Sequence, residues 1–194
     1  SFKMQKGLLL NKKGTKLIWA VPAKNKITVP DSVTSIADNA LKAGKATSVY
    51  LGKKVKMIGK DAIAGKKITK VSIAKKNKSI AKQGQCVYEK KSGKLLIAIA
   101  KKNVVKIGNK VKLISEDASL CGSRQLKKLD IGASVKTLQG AWGEFYRAGY
   151  VTTKTKLNLL TVVAVLGCLP ASRILVNLIM VMPHDSIDEA TELE

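Results

Sequence analysis

The sequence predicts a repeat solenoid, a coiled stack of short parallel β-strands with β-hairpin insertions and few helices. Three observations predict it. A ruler of the form apolar, +3 apolar, +7 small recurs along the chain, a short alternating strand precedes the ruler, and one whole block is written twice. Self-similarity on this scale decides the fold, because a coil of about 22 residues cannot bury its own apolar side chains, whereas stacked coils bury each other's.

The ruler is Val33, Ile36 and Ala40 in VTSIADNAL, and it returns as Val55, Ile58, Ala62, as Val111, Ile114, Ala118 and as Leu157, Leu160, Ala164. At Val135 and Leu138 it fits twice and then meets Trp142 in the alanine slot. The upstream strands are Ile27-Thr28-Val29, Val49-Tyr50-Leu51, Val71-Ser72-Ile73, Val105-Lys106-Ile107 and Leu129-Asp130-Ile131. Alternation with period two over so few residues is a short strand with one face buried. The strands begin at 27, 49, 71, 105 and 129, and the register extends to Val151 and Ile174, at intervals of 22, 22, 34, 24, 22 and 23. Six or seven coils stacked in parallel at ~4.8 Å each make a rod roughly 30 Å long.

The long interval is filled by Cys86–Lys101, two apolar runs around Lys-Ser-Gly, which is a hairpin signal. A matching hairpin at Gly7–Val21 precedes the first strand. The two hairpin-plus-coil blocks align with an offset of 78 residues, carrying Ile27 onto Val105, Val33 onto Val111, Ile36 onto Ile114 and Ala40 onto Ala118. The hairpin glycines, Gly14 and Gly93, match only after a slip of one residue. Small alanines suit tight turns against the next coil, and the Gly and Lys-Lys clusters between rulers read as exposed turns.

At ITVPDSVTSIADNAL, Ile27–Leu41, and SVYLGKKVKMIGKDAI, Ser48–Ile63, the chain resembles the BspA-like, or Treponema-type, leucine-rich repeats. The resemblance spans roughly Gly7 to Met180 and weakens after Trp142. It implies a right-handed leucine-rich-repeat coil and a secreted or cell-surface bacterial protein that adheres to host or bacterial surface proteins. The Phe that the family places after each repeat alanine is here Leu41, Ile63, Ser119 or Val165. The family's Cys three residues later is Gly44, Lys66 or Gly122, is kept at Cys168, and comes one residue early at Cys121. Smaller side chains in the Phe slot point to a looser stack.

An apolar share of 45% is that of a folded chain, and aromatics at 4% leave the core to Ile, Val, Leu and Ala. The net charge is +23, unevenly placed. All 33 lysines lie at or before Lys156, where with two arginines they face eight acids and leave +27; from Leu157 onward one arginine faces five acids, giving −4. Such a field draws polyanions. The dominance of Lys over Arg favours a diffuse positive coat over planar, bidentate readout. Cys86, Cys121 and Cys168 offer neither a disulfide framework nor zinc spacing and read as buried thiols.

Residues 157–182 form an apolar stretch long enough to span a membrane, but Pro170, Arg173 and the continuing repeat register favour terminal coils over a span. The domain reading is therefore a solenoid over 1–183, with hairpin insertions at about 7–21 and 86–101 and terminal coils at 151–183. An acidic tail over 184–194 follows.

Catalysis is not expected. His184 is the one histidine, so no Ser-His-Asp or Cys-His arrangement can be assembled from the repeat body. Glu116 and Asp117 are adjacent, which points them apart. Gly59–Lys67 departs from a phosphate loop in spacing, and no Ser or Thr follows the lysine. No metal site or cofactor is expected. A binding role falls to the outward strand positions, including Tyr50 and Lys106, and to the aromatic cluster Trp142, Phe145, Tyr146 and Tyr150 with Arg147, residue types that anchor interfaces. The same cluster also fits a core plug closing an irregular coil, and Trp19 and Tyr50 admit the same two readings. Two partner classes are expected: surface proteins, or anionic polymers such as sulfated glycan, wall polymer or nucleic acid.

Overall fold

All nine residues of the three complete rulers before Trp142 are buried, from Val33 to Ala118, as is Val135; Leu138 is half-buried against the same core. The computed structural model describes residues 1–21, 25–41, 45–65, 67–123, 126–139 and, for the backbone, 150–153. The first block contains β1 (Phe2–Gln5), β2 (Leu8–Asn11), β3 (Lys16–Ala20), β4 (Lys26–Thr28), β5 (Ser35–Ile36), β6 (Ser48–Leu51), β7 (Met57–Ile58) and β8 (Lys70–Ile73). The second contains β9 (Ile80–Gln83), β10 (Cys86–Glu89), β11 (Leu95–Ile99), β12 (Val104–Lys106), β13 (Leu113–Ser115), β14 (Ser119–Cys121), β15 (Lys128–Ile131), β16 (Thr137–Gln139) and β17 (Tyr150–Thr153). Among the described residues there is no helix.

The predicted strands stack in parallel and in register. Val49 lies between Ile27 and Val71, and Leu129 between Val105 and Val151. The rulers form a second set of rungs, with Leu17 beside Ile36 and Ile36 beside Ile58, and with Ile114 beside Leu138. Each coil thus puts two short strands on the stack. The coil that would be placed by Ile174 lies outside the described residues, as do the terminal stretch from 154 and the acidic tail.

Two features differ from the sequence expectation. The parallel strands form two ladders, β4-β6-β8 and β12-β15-β17, and not one. The cause lies at Asn77, which stands 22 residues after Val55 where a third ruler would begin. Its side chain is buried and donates from Nδ2 to the carbonyls of Gly52 and Val55, both at 2.9 Å. Its Oδ1 accepts from the N–H groups of Ser79 and Ile80, at 2.9 and 3.0 Å. The chain then enters β9, which pairs antiparallel with β10. β12 consequently has no ladder strand on one side. Gln85 takes that place: Nε2 donates to the carbonyl of Val104 at 2.8 Å and Oε1 accepts from the N–H of Lys106 at 2.9 Å, the two bonds a parallel neighbour would make around Val105.

The second difference is that each hairpin carries a third strand. β1-β2-β3 and β9-β10-β11 repeat residue for residue at the 78-residue offset: Phe2 faces Asn11 as Ile80 faces Glu89, and Leu9 faces Trp19 as Val87 faces Ile97. Both contain a bulge at the same step. The one-residue slip is confined to the turn, where Gly14 and Gly93 hold φ of +70 and +72.

Side chains staple one coil to the next. Asp31 Oδ1 accepts from the N–H of Lys53 and Asp38 Oδ1 from that of Lys60, each 22 residues on. Ser134 Oγ bonds to the carbonyls of Gly108 and Val111. Asn39 and Asp61, before the ruler alanines, have φ of 55 and 50, a left-handed turn that Asn and Asp tolerate. The slots that the family fills with Phe are closed here: Leu41, Ile63 and Ser119 are buried, and the Ser119 hydroxyl accepts from the N–H of Ile63 across the boundary between blocks. Sheet β9-β10-β11 divides the interior. Val87 and Ile97 join the first block's core, while Cys86, Leu95 and Ala98 join the second.

Candidate binding surface

The strands that bury Ile27, Val49 and Val71 must turn the alternate residues outward. Thr28, Tyr50 and Ser72 lie side by side in one row and Lys26, Ser48 and Lys70 in the next. On the second ladder Lys106, Asp130 and Thr152 form the corresponding row, with Val104 beside Lys128. Tyr50 is half-buried between its neighbours and Lys106 is exposed. The inserted sheet separates the two ladders, so the fold does not bring Tyr50 and Lys106 together. Tyr150 opens β17 in register with Lys128. Trp142, Phe145, Tyr146 and Arg147 lie outside the described residues.

Lysines dominate the turns. Lys53-Lys54 and Lys75-Lys76 are exposed at equivalent turns of successive coils. Asp31 lies 3.5 Å from the Lys53 ammonium, and the Lys53 N–H, helped by that charge, lowers its carboxyl below the ordinary value. Lys82 is held below the usual lysine range, first by desolvation and then by the charges of Lys101 and Lys70.

Nothing among the described residues assembles catalytic chemistry. Glu116 pairs with Lys60 at 3.0 Å and Asp117 with Lys94 at 2.6 Å, so the two adjacent acids serve different partners. The Lys94 hydrogen bond lowers the Asp117 carboxyl. Cys86 and Cys121 are free and buried; burial raises both thiols, Cys121 to about 12, so neither is poised as a thiolate. Gly59, in the stretch with a remote phosphate-loop likeness, is a close-approach turn: a Cβ there would lie 2.7 Å from the Asp38 nitrogen. Asn77 is buried and fully hydrogen-bonded. The described residues contain no cluster able to hold a metal ion and no helix long and apolar enough to cross a membrane.

Sequence reasoning missed one surface. Phe2, Met4, Trp19 and Met57 are exposed large apolar residues, and all four belong to sheet β1-β2-β3-β5-β7. The signal is present in the 78-residue offset, which extends past the hairpin to the strand before it.

A family model described as the BspA type leucine rich repeat region matches residues 24–142 in six copies. No curated protein matches the chain. Two solved structures resemble the fold. One is a leucine rich cell surface protein of Faecalibacterium prausnitzii, 17% identical, with TM-score 0.42, covering 67% of this chain and 41% of that one. The other is a leucine-rich repeat protein of Eubacterium ventriosum, 16% identical, with TM-score 0.39, covering 69% of this chain and 55% of that one. The chain therefore spans about half or less of the length of these two proteins.

Proposed function

Because the chain belongs to the BspA-type leucine-rich repeat family, we propose that it is a non-catalytic protein-binding module of a secreted or cell-surface bacterial protein, adhering through the outward rows of its ladders. The observation that carries this reading is the row Thr28, Tyr50 and Ser72, held in register by the buried Ile27, Val49 and Val71 beneath. A rigid scaffold presenting one aromatic in a polar row is preorganised for contact, which lowers the ordering cost of binding. The cluster Trp142, Phe145, Tyr146, Arg147 and Tyr150 is assigned to the same role on residue type. The binding is assigned to the body over 1–183.

A second reading, binding of an anionic polymer, is supported by the paired exposed lysines stacked one coil apart at Lys53-Lys54 and Lys75-Lys76. One titration separates the two. The chain is tested against purified bacterial and host surface proteins and against heparin, from about 50 to 500 mM salt. A protein partner led by Tyr50 should bind with little salt dependence and lose about tenfold on Tyr50→Ala. Binding confined to heparin, falling linearly with log salt and indifferent to Tyr50→Ala, would replace the first reading with the second.

A further inference from the structure

Phe2, Met4 and Trp19 are 66%, 58% and 39% exposed. Met4 faces Leu9 and Leu9 faces Trp19 across β1-β2-β3, with Phe2 two residues from Met4, so these side chains share the outer side of one sheet. The inner side, Leu8, Leu10, Leu17 and Ala20, belongs to the core.

The molecule contains this sheet a second time. The shift of 78 residues carries Phe2, Met4, Leu9 and Trp19 onto Ile80, Lys82, Val87 and Ile97 with every register kept. There three of the four positions on the same side are covered. Ile80, Val87 and Ile97 are at most 1% exposed and share a core with Ile63, Ile68 and Val71 of the preceding coils. Lys82, in the place of Met4, stays exposed at the margin, with Nζ donating to the carbonyl of Val71 at 2.9 Å. One register thus occurs twice, closed by a coil in one case and open in the other.

A sheet that ended a solenoid as a cap would present a polar outer side. This one presents Phe, Met, Leu and Trp. We propose that the outer side of β1-β2-β3 is a docking face for a leucine-rich-repeat coil of this protein's own type, stacked as the coil of β8 stacks on β9-β10-β11. The partner coil presents an aliphatic rim equivalent to Ile68 and Val71. Face-to-face pairing of two copies is disfavoured, because it would set two strongly basic chains, each of net charge +23, and the exposed Lys16 of each β3 against one another. This docking face lies on the end of the stack, apart from the ladder rows.

The test joins a copy of Thr47–Lys78 directly ahead of Ser1 in the full chain. Ser79 and Ser1 are equivalent under the same shift, so the junction keeps its spacing. Trp142→Phe leaves Trp19 as the fluorescent reporter. Docking should shift Trp19 emission to the blue, lower its quenching by acrylamide and raise the melting temperature by about 5 °C or more. Phe2→Asp should leave the ungrafted chain within about 2 °C of its parent, because Phe2 is exposed there, and should abolish the gain in the grafted one, where Phe2 takes the buried place of Ile80. Trp19 quenching that the graft does not change, whether the graft orders elsewhere or fails to order, overturns the proposal. So does a gain that survives Phe2→Asp.

Discussion

Replacing Asn77 by Val restores the residue type that stands at Val33 and Val55, and on pattern alone it should strengthen the stack. The hydrogen bonds argue the reverse. Asn77 satisfies four backbone groups: the carbonyls of Gly52 and Val55 and the N–H groups of Ser79 and Ile80. Gly52 also accepts from Val55 and keeps a partner, whereas the buried Ile80 N–H depends on the Asn77 oxygen until the turn rearranges. Each stranded buried group costs about 1–3 kcal/mol. Burying the Val methyls returns roughly 1–2 kcal/mol. The net expectation is a loss of about 2–4 kcal/mol, which for a chain of this size is a fall in melting temperature of about 5–15 °C. Urea unfolding followed by circular dichroism measures it, and amide exchange at Ile80 localises it. An Asn77→Val chain as stable as the parent, with Ile80 equally protected, would refute the claim that Asn77 turns the chain out of the ladder.

The same reasoning extends to other positions. Gln85→Ala should remove the stand-in for a ladder strand, accelerating amide exchange at Lys106 while leaving exchange at Leu129 in the middle of the same ladder unchanged. Gly59→Ala places a Cβ against Asp38 Oδ1 and 2.7 Å from the Asp38 backbone nitrogen, so backbone must move, and a loss of about 1–3 kcal/mol is expected in thermal denaturation. The Cys121 thiol, raised by burial from 9.0 to about 12, binds its proton more tightly when folded. Its contribution is therefore intact below about pH 9 and is lost as pH rises toward 12, and Cys121→Ala should flatten that alkaline decline in the midpoint of urea unfolding.

Much of the fold was legible because burial imposes a period. Val33, Ile36 and Ala40 recur at fixed spacing since only that spacing brings each coil's apolar residues over the next, and the short alternating strands had to fall where Ile27, Val49 and Val71 stand. Tyr50 and Lys106 could be placed on outward rows for the same reason. What could not be read was the identity of neighbours. Asn77 looks like a broken ruler until its four partners are known, and Gln85 is an ordinary turn residue until its amide is seen closing the edge of β12. Ser119 reads in the sequence as a thinned core position, yet its hydroxyl bridges the two blocks.

The sequence by itself determined the repeat, the parallel stacking, the hairpin insertions and the duplication, because each follows from local periodicity and chain turns. The tertiary structure decided that the ladder is split in two, that each hairpin gains a third strand, and that one side of that sheet is covered in the second block and open in the first. Those outcomes depend on contacts between segments far apart in the chain. A side chain's exposure is set by what the rest of the chain places over it, so Trp19 stays open where Ile97, in the same register, is buried.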